Sequence, residues 1–320
     1  MRSHRLPMLV AAGALALGVA ACGDEEKDSG SGSSGGTKLS GKIAIDGSST
    51  VFPFAQAAAE QFQAENPDVQ ITVGQSGTGG GFEKFCAGET DVSDASRPIK
   101  DDEEVPICKK EGVAYSEVQI GNDGIAVTTN KQLPIKCMTT DQLKQLWEKG
   151  SKVKAYNEID PQFPKEQVSL FGPGTDSGTF DFFTEEINGE EGNTRKDYQP
   201  SEDDNVLVQG VSGDKGGLGY FGFSYFEQNQ DKLGLVSVDS GGGCIAPSKE
   251  TIQNGTYKPL SRPLFMYPSA KSIKRPEVKA FMDFLLEKQA EIAEAAQIVP
   301  MTPEQLTKAR AALKQAETAQ

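Results

Sequence analysis

An α/β fold is what the 320-residue sequence predicts. Two observations carry it. Short apolar or alternating runs take turns with helix-period segments, the pattern of strands covered by helices. The composition, 37% hydrophobic and 24% charged, is that of a globular chain long enough to bury a core in one large domain or two ordinary ones. The same alternation predicts largely parallel strand pairing.

In chain order, Lys42 to Ile45 reads as a strand. A helix follows from about Phe54 to Glu65 and stops at Asn66-Pro67. Val69 to Val73 alternates as a strand, and a second helix runs from about Phe82 to Ala87. Gln119 to Thr129 is a strand region. Asp141 to Glu148 is a helix with Leu143, Leu146 and Trp147 on one face. Val168 to Phe171 is a strand and Phe180 to Ile187 a helix. The tail is one long amphipathic helix, Pro276 to Ala296, then another after Met301-Thr302-Pro303. Gly217 to Gly222 spells GxGxxG but follows no clear strand, so it reads as a turn closing on aromatic packing.

The N-terminus reads as an address. Arg2, His4 and Arg5 precede an apolar run from Met8 to Ala21, too short for a stable spanning helix and suited to a signal peptide over residues 1–21. Val19-Ala20-Ala21-Cys22-Gly23 resembles a bacterial lipobox, with Cys22 the lipidated first residue. Residues 22–39 would then be a lipidated cysteine and a Gly/Ser-rich tether, because Gly23 to Thr37 lack large apolar side chains. The expected location is extracytoplasmic, lipid-anchored at the cell membrane.

Composition removes several function classes. The single histidine, His4, lies in the expected leader, so the mature chain can build neither a Ser-His-Asp triad, a Cys-His dyad nor a His-ligated zinc site. A net charge of −14 argues against nucleic acid or an anionic membrane surface as the main partner. No P-loop occurs, no GxSxG elbow follows a strand (the match Gly32 to Gly36 falls in the Gly/Ser tether), and no cofactor or metal is expected. Cys86, Cys108, Cys137 and Cys244 in an exported chain suggest two disulfides. Of the three pairings open to them, a local Cys86–Cys108 loop and a long-range Cys137–Cys244 tie are favoured.

Three Ser/Thr/Gly-rich loops each open a helix. They are Gly47-Ser48-Ser49-Thr50-Val51, Ser76-Gly77-Thr78-Gly79-Gly80-Gly81, and Gly172 to Thr179. Each would set hydroxyls and unpaired N–H groups at the positive end of a helix dipole, which suits an oxyanion. One such loop alone is an ordinary cap and turn. Three of them could surround a tetrahedral anion. Ser96 and Arg97 would add a hydroxyl and a bidentate cationic fork.

IDGSSTVFP (45–53), SGTGGGFEKFCAGETDVSDASRPI (76–99), FGPGTDSGTFDFFTE (171–185) and GGLGYFGFSYF (216–226) resemble the PstS family, phosphate-binding proteins of the high-affinity phosphate ABC transporter. The resemblance implies a type II periplasmic-binding-protein fold, two α/β lobes joined by two hinge strands. It places lobe I at 40–121 plus 247–320 and lobe II at 122–246, with hinges near Ile120–Ile125 and Ser237–Gly241. It implies phosphate donors at Ser49, Thr50 and Val51, at Thr78 with Gly79 and Gly80, and at Ser177, Gly178 and Thr179. Family members place an arginine where this chain has Pro173, leaving Arg97 as substitute cation. They place an aspartate at the position aligned with Ser96; Asp176, ahead of Asp46, is the candidate for its role of accepting a hydrogen bond from protonated phosphate and so rejecting sulfate. The implied protein is a non-catalytic monomer whose partners are inorganic phosphate and the transporter's permease and ATPase. The alternatives are a receptor for sulfate, molybdate or an organic phosphate, a sensing or adhesion lipoprotein, and a secreted phosphoester hydrolase.

Overall fold

The computed structural model describes residues 38–318. The expected signal peptide, Cys22 and the tether up to Thr37 lie outside the described residues. Eleven strands are described: β1 Gly41–Gly47, β2 Val69–Gln75, β3 Val92–Ala95, β4 Val118–Asn130, β5 Cys137–Thr139, β6 Ser169–Gly172, β7 Gln199–Pro200, β8 Gly217–Gly222, β9 Leu233–Asp239, β10 Cys244–Ile245 and β11 Ser261–Pro268. The helices are α1 Phe52–Glu65, α2 Gly77–Cys86, α3 Glu104–Lys110, α4 Thr140–Trp147, α5 Gly178–Asn188, α6 Asp204–Gly213, α7 Phe223–Gln228, α8 Lys249–Gln253, α9 Pro276–Glu287, α10 Gln289–Ala295 and α11 Pro303–Thr318.

The strand path β2-β1-β3-β11-β4-β8-β6-β7 divides at β4, whose thirteen residues serve two halves. From Val118 to Gly124 it pairs antiparallel with β11. From Ile125 to Asn130 it pairs with β8 and β9 instead. The first half buries Ile43, Phe54, Phe62, Phe281 and Leu285 in its core. The second half is built on Trp147, Phe183 and Tyr220, with Phe183 stacked on Tyr220 at 3.7 Å. Two layers of helix on sheet therefore meet along one shared strand.

Several expectations need correction. Pairing is mixed rather than largely parallel. β1 pairs parallel with β2 and β3, but β4 and β11 make antiparallel ladders because the chain passes between halves in both directions. The crossing expected at Ile120–Ile125 coincides with the switch in β4. The one expected at Ser237–Gly241 does not: Ser237 to Asp239 pairs with β5 and β10 inside the second half. The chain returns between Ile245 and Ser261, where the Tyr257 hydroxyl donates to Ile125 O at 2.9 Å. Gly217 to Gly222 is no turn but β8. A Cβ on Gly217 would lie 2.5 Å from Val211 O and one on Gly219 2.6 Å from Phe171 O, so glycine here admits α6 and β6 to close packing. The tail helix breaks at Lys288, after which Ile292 and Ala293 of α10 enter the core. The fold contains both favoured disulfides: Cys86–Cys108 ties α2 to α3, and Cys137–Cys244 clamps β5 to β10 across β9.

Candidate anion site

Each of the three loops follows a strand and opens a helix: β1 leads into α1, β2 into α2, and β6 into α5. In open α/β sheets such turns beyond the strand ends form a crevice. Here they do. A cavity of about 520 Å³ is lined by Ser49 and Thr50 from the first loop, Thr78, Gly79 and Gly80 from the second, and Gly178 from the third. Ser96 and Arg97 line it too. The second helix begins earlier than its apolar pattern suggested, because the glycine run itself forms the first turn of α2. Its backbone is therefore bare toward the cavity.

The loops are in contact. A Cβ on Gly178 would collide with Thr50 Oγ1 and sit 2.5 Å from Ser49 Oγ and 2.8 Å from Thr50 N. The second loop is bound to the segment after β3, with Thr78 Oγ1 3.0 Å from Ser96 Oγ and accepting from Ser96 N at 3.2 Å.

Not every expected donor faces this cavity. Val51 is fully buried, and its N–H donates to Ser48 O at 3.2 Å. Ser177 caps α5, its Oγ accepting from Thr179 N at 3.2 Å. Asp176, Ser177 and Thr179 line an adjoining crevice of about 290 Å³ with Asp123, Glu202 and Asp204; Ser49, Thr50 and Gly178 border both spaces.

The carboxylates sort by environment. Asp176 is exposed, and its N–H donates to Glu202 Oε1 at 3.4 Å. Asp46 accepts from Ser76 Oγ and pairs with Lys84 Nζ at 2.7 Å; these bonds outweigh burial and hold its carboxyl below the usual range. Asp94, in β3, was missed by the sequence reading. It is completely buried, and neither carboxyl oxygen has a hydrogen-bond partner among the described residues. Oδ1 lies 2.5 Å from where a Cβ on Gly47 would stand, directly behind the first loop. Burial pushes this carboxyl well up; the nearby Ser48 backbone amide opposes the rise and Asp46 adds to it. A polar residue inside the all-buried run Val92-Ser93-Asp94-Ala95 is the signal that could have found it.

The cations also differ from expectation. Arg97 sends Nη1 and Nη2 to the two oxygens of Glu104, at 3.0 and 2.5 Å, and remains one-third exposed. Arg262, at the head of β11, was missed as well. Its Nε meets Asp123 Oδ2 at 3.2 Å, its Nη2 reaches Thr50 Oγ1 at 2.8 Å and Gly178 O at 3.2 Å, and its guanidinium lies 3.8 Å above the Phe182 ring. The same cavity is also lined by Asp181, Glu185, Glu186 and Glu191. Burial pushes Asp181 up to about 6, Glu191 and Glu185 adding and Arg262 opposing.

A family model described as a PBP superfamily domain matches residues 32–289. Protein SphX of Synechococcus elongatus is 44% identical over 270 residues, covering 83% of this chain and 80% of its own. The phosphate-binding protein PstS of Staphylococcus saprophyticus is 39% identical over 316 residues, covering 98% and 95%. The crystal structure of a "possible phosphate binding protein" from Planctomyces limnophilus superposes with a TM-score of 0.82 at 44% identity, covering 87% of this chain and 99% of that one.

Two α/β halves around a cleft of hydroxyl, amide and guanidinium donors define a solute-binding protein of the two-lobed class. The chain belongs to the PBP superfamily and, within it, to the PstS family of phosphate-binding proteins.

Proposed function

We propose that the protein is an extracytoplasmic receptor that captures inorganic phosphate between its lobes and delivers it to the permease of an ABC transporter. The observation that carries this reading is the convergence of three helix starts on one cavity, with Gly178 packed on Thr50. Amides at helix N-termini and hydroxyls from Ser49, Thr50, Thr78 and Ser96 offer fixed dipoles to a tetrahedral anion. A dry cleft strengthens such bonds. The acidic net charge gives no long-range attraction, so affinity comes from these short-range donors.

Lobe I comprises 40–121 plus 247–320 and lobe II 122–246 in this reading. Hinge motion about β4 and the return segment opens and closes the cleft. Asp94, rather than Asp176 or Asp46, is the candidate for the carboxyl that shares a proton with phosphate, because its oxygens alone among the three are buried and unpaired among the described residues; it lines neither cavity, so the first loop must shift for the two to meet. Sulfate brings no proton to share. Cys22 carries the lipid anchor, and the receptor acts as a monomer. Phosphoester hydrolysis finds no support, since the PstS relatives are named for binding.

Calorimetry on the protein with phosphate, sulfate, molybdate and a phosphomonoester tests the assignment. Tight binding of phosphate over the others is expected. Absence of phosphate binding at millimolar concentration would reject it.

A further inference from the structure

We infer that Arg262 is the cation that pairs with the captured anion and latches the two lobes together around it. The inference rests on the proposed phosphate-receptor function. It starts from register: Arg262 stands opposite Asp123 in the β11–β4 ladder, which sets it beside β4, the strand shared between lobes. The Nε–Asp123 Oδ2 bond at 3.2 Å fixes the guanidinium plane. Nη2 then bridges Thr50 Oγ1, on the first loop, and Gly178 O, at the start of α5. Those two loops belong to different lobes, and Arg262 touches both. Phe182 of α5 supports the guanidinium face at 3.8 Å.

Nη1 makes no hydrogen bond to an acceptor among the described residues, while Arg262 lines the main cavity beside Ser49, Thr78 and Gly178. Its one direct carboxylate partner among the described residues is Asp123. Burial lowers its pKa, and the fields of Asp123, Glu185 and Glu186 oppose that effect. An oxyanion at Nη1 would add the charge that a desolvated guanidinium lacks and would draw the loops of both lobes toward one centre. Arg97 differs on each point: its fork is filled by Glu104, and it touches only its own lobe's segments.

The test is phosphate calorimetry on the full chain and its Arg262→Ala, Arg262→Lys and Arg97→Gln variants, with circular dichroism to check folding. Arg262→Ala should lose about a hundredfold in affinity or more, as truncation of a buried charged donor does. Arg262→Lys, which keeps the charge without the fork, should lose about tenfold. Millimolar guanidinium should restore part of the binding of Arg262→Ala, a rescue that a purely structural residue would not show. Arg97→Gln should lose less than either Arg262 variant. If Arg262→Ala fails to fold, Arg262→Lys alone decides. Folded Arg262 variants within about threefold of the parent, or a larger loss from Arg97→Gln, would overturn the inference. A parent protein that ignores phosphate would instead overturn the function on which it rests.

Discussion

Gly178 and Thr50 touch so closely across the cleft that no side chain fits between them. The nearest fixed atom is the Thr50 backbone nitrogen, 2.8 Å from where a Cβ would stand. Two hydroxyl oxygens nearby can rotate away, but a backbone nitrogen cannot. The residue that opens α5 is therefore glycine because the closed cleft requires it. In a helix alone alanine is favoured there by roughly 1 kcal/mol.

Gly178→Ala should consequently separate closure from folding. The melting temperature should change by no more than a few degrees, while phosphate affinity falls by about tenfold or more as the loops are held apart. Unaltered affinity in a calorimetric titration would show that the contact has no part in capture.

Asp94→Asn removes a buried carboxyl without changing its shape. Its raised pKa means that the folded state disfavours the charged form, so the neutral amide should leave neutral-pH stability equal or higher. Selectivity should move more than stability: the ratio of phosphate to sulfate affinity should fall by about tenfold, because the proton-sharing group is lost. A ratio that stays put in competition titrations would return the role to another carboxyl.

Asp204, at the start of α6, is pushed up to about 7 by burial first and by Asp203, Glu202 and Asp123 after it. The unfolded value is near 4. Between those values the folded chain holds a proton that the unfolded chain has released, so this group's contribution to stability falls as pH rises from about 4 to about 7. Asp204→Asn should melt with the parent at pH 4, gain on it progressively, and hold a constant lead above pH 7. Melting curves that run parallel over that range would refute the assignment.

The Tyr220 hydroxyl is buried without a partner among the described residues, while its ring stacks on Phe183 and meets Trp147 edge-on at 4.8 Å. Tyr220→Phe keeps both ring contacts and removes the unsatisfied group. Stability should rise by up to about 1 kcal/mol, read as a higher urea midpoint at constant slope. A clear loss of stability would mean that the hydroxyl has a partner in solution.

The local chemistry of the site was legible. Loops rich in glycine, serine and threonine are written in consecutive residues, and capping acts over two or three positions, so the starts of α1 and α5 could be read closely, while that of α2 was placed late because its glycines form the first turn. That Thr50, Thr78, Ser96 and Gly178 line one cavity is a property of the fold. The strand β8 was not legible, because its glycines are explained only by α6 and β6 pressing on it.

What the order of residues determined by itself was the alternation of strands and helices, the helix-start loops and the four cysteines available for pairing. What tertiary structure alone decided was which polar groups remain free. Arg97 finds Glu104 seven positions away and its whole fork is filled, whereas Arg262 pairs through Nε with Asp123, meets Thr50 at a separation of 212 residues, and keeps Nη1 without an acceptor among the described residues. Asp46 is satisfied by Lys84 and Asp94 is left bare. The physical reason is that charge and hydrogen-bond capacity belong to a residue, but desolvation and partners belong to its surroundings, and those are assembled only when distant strands come together.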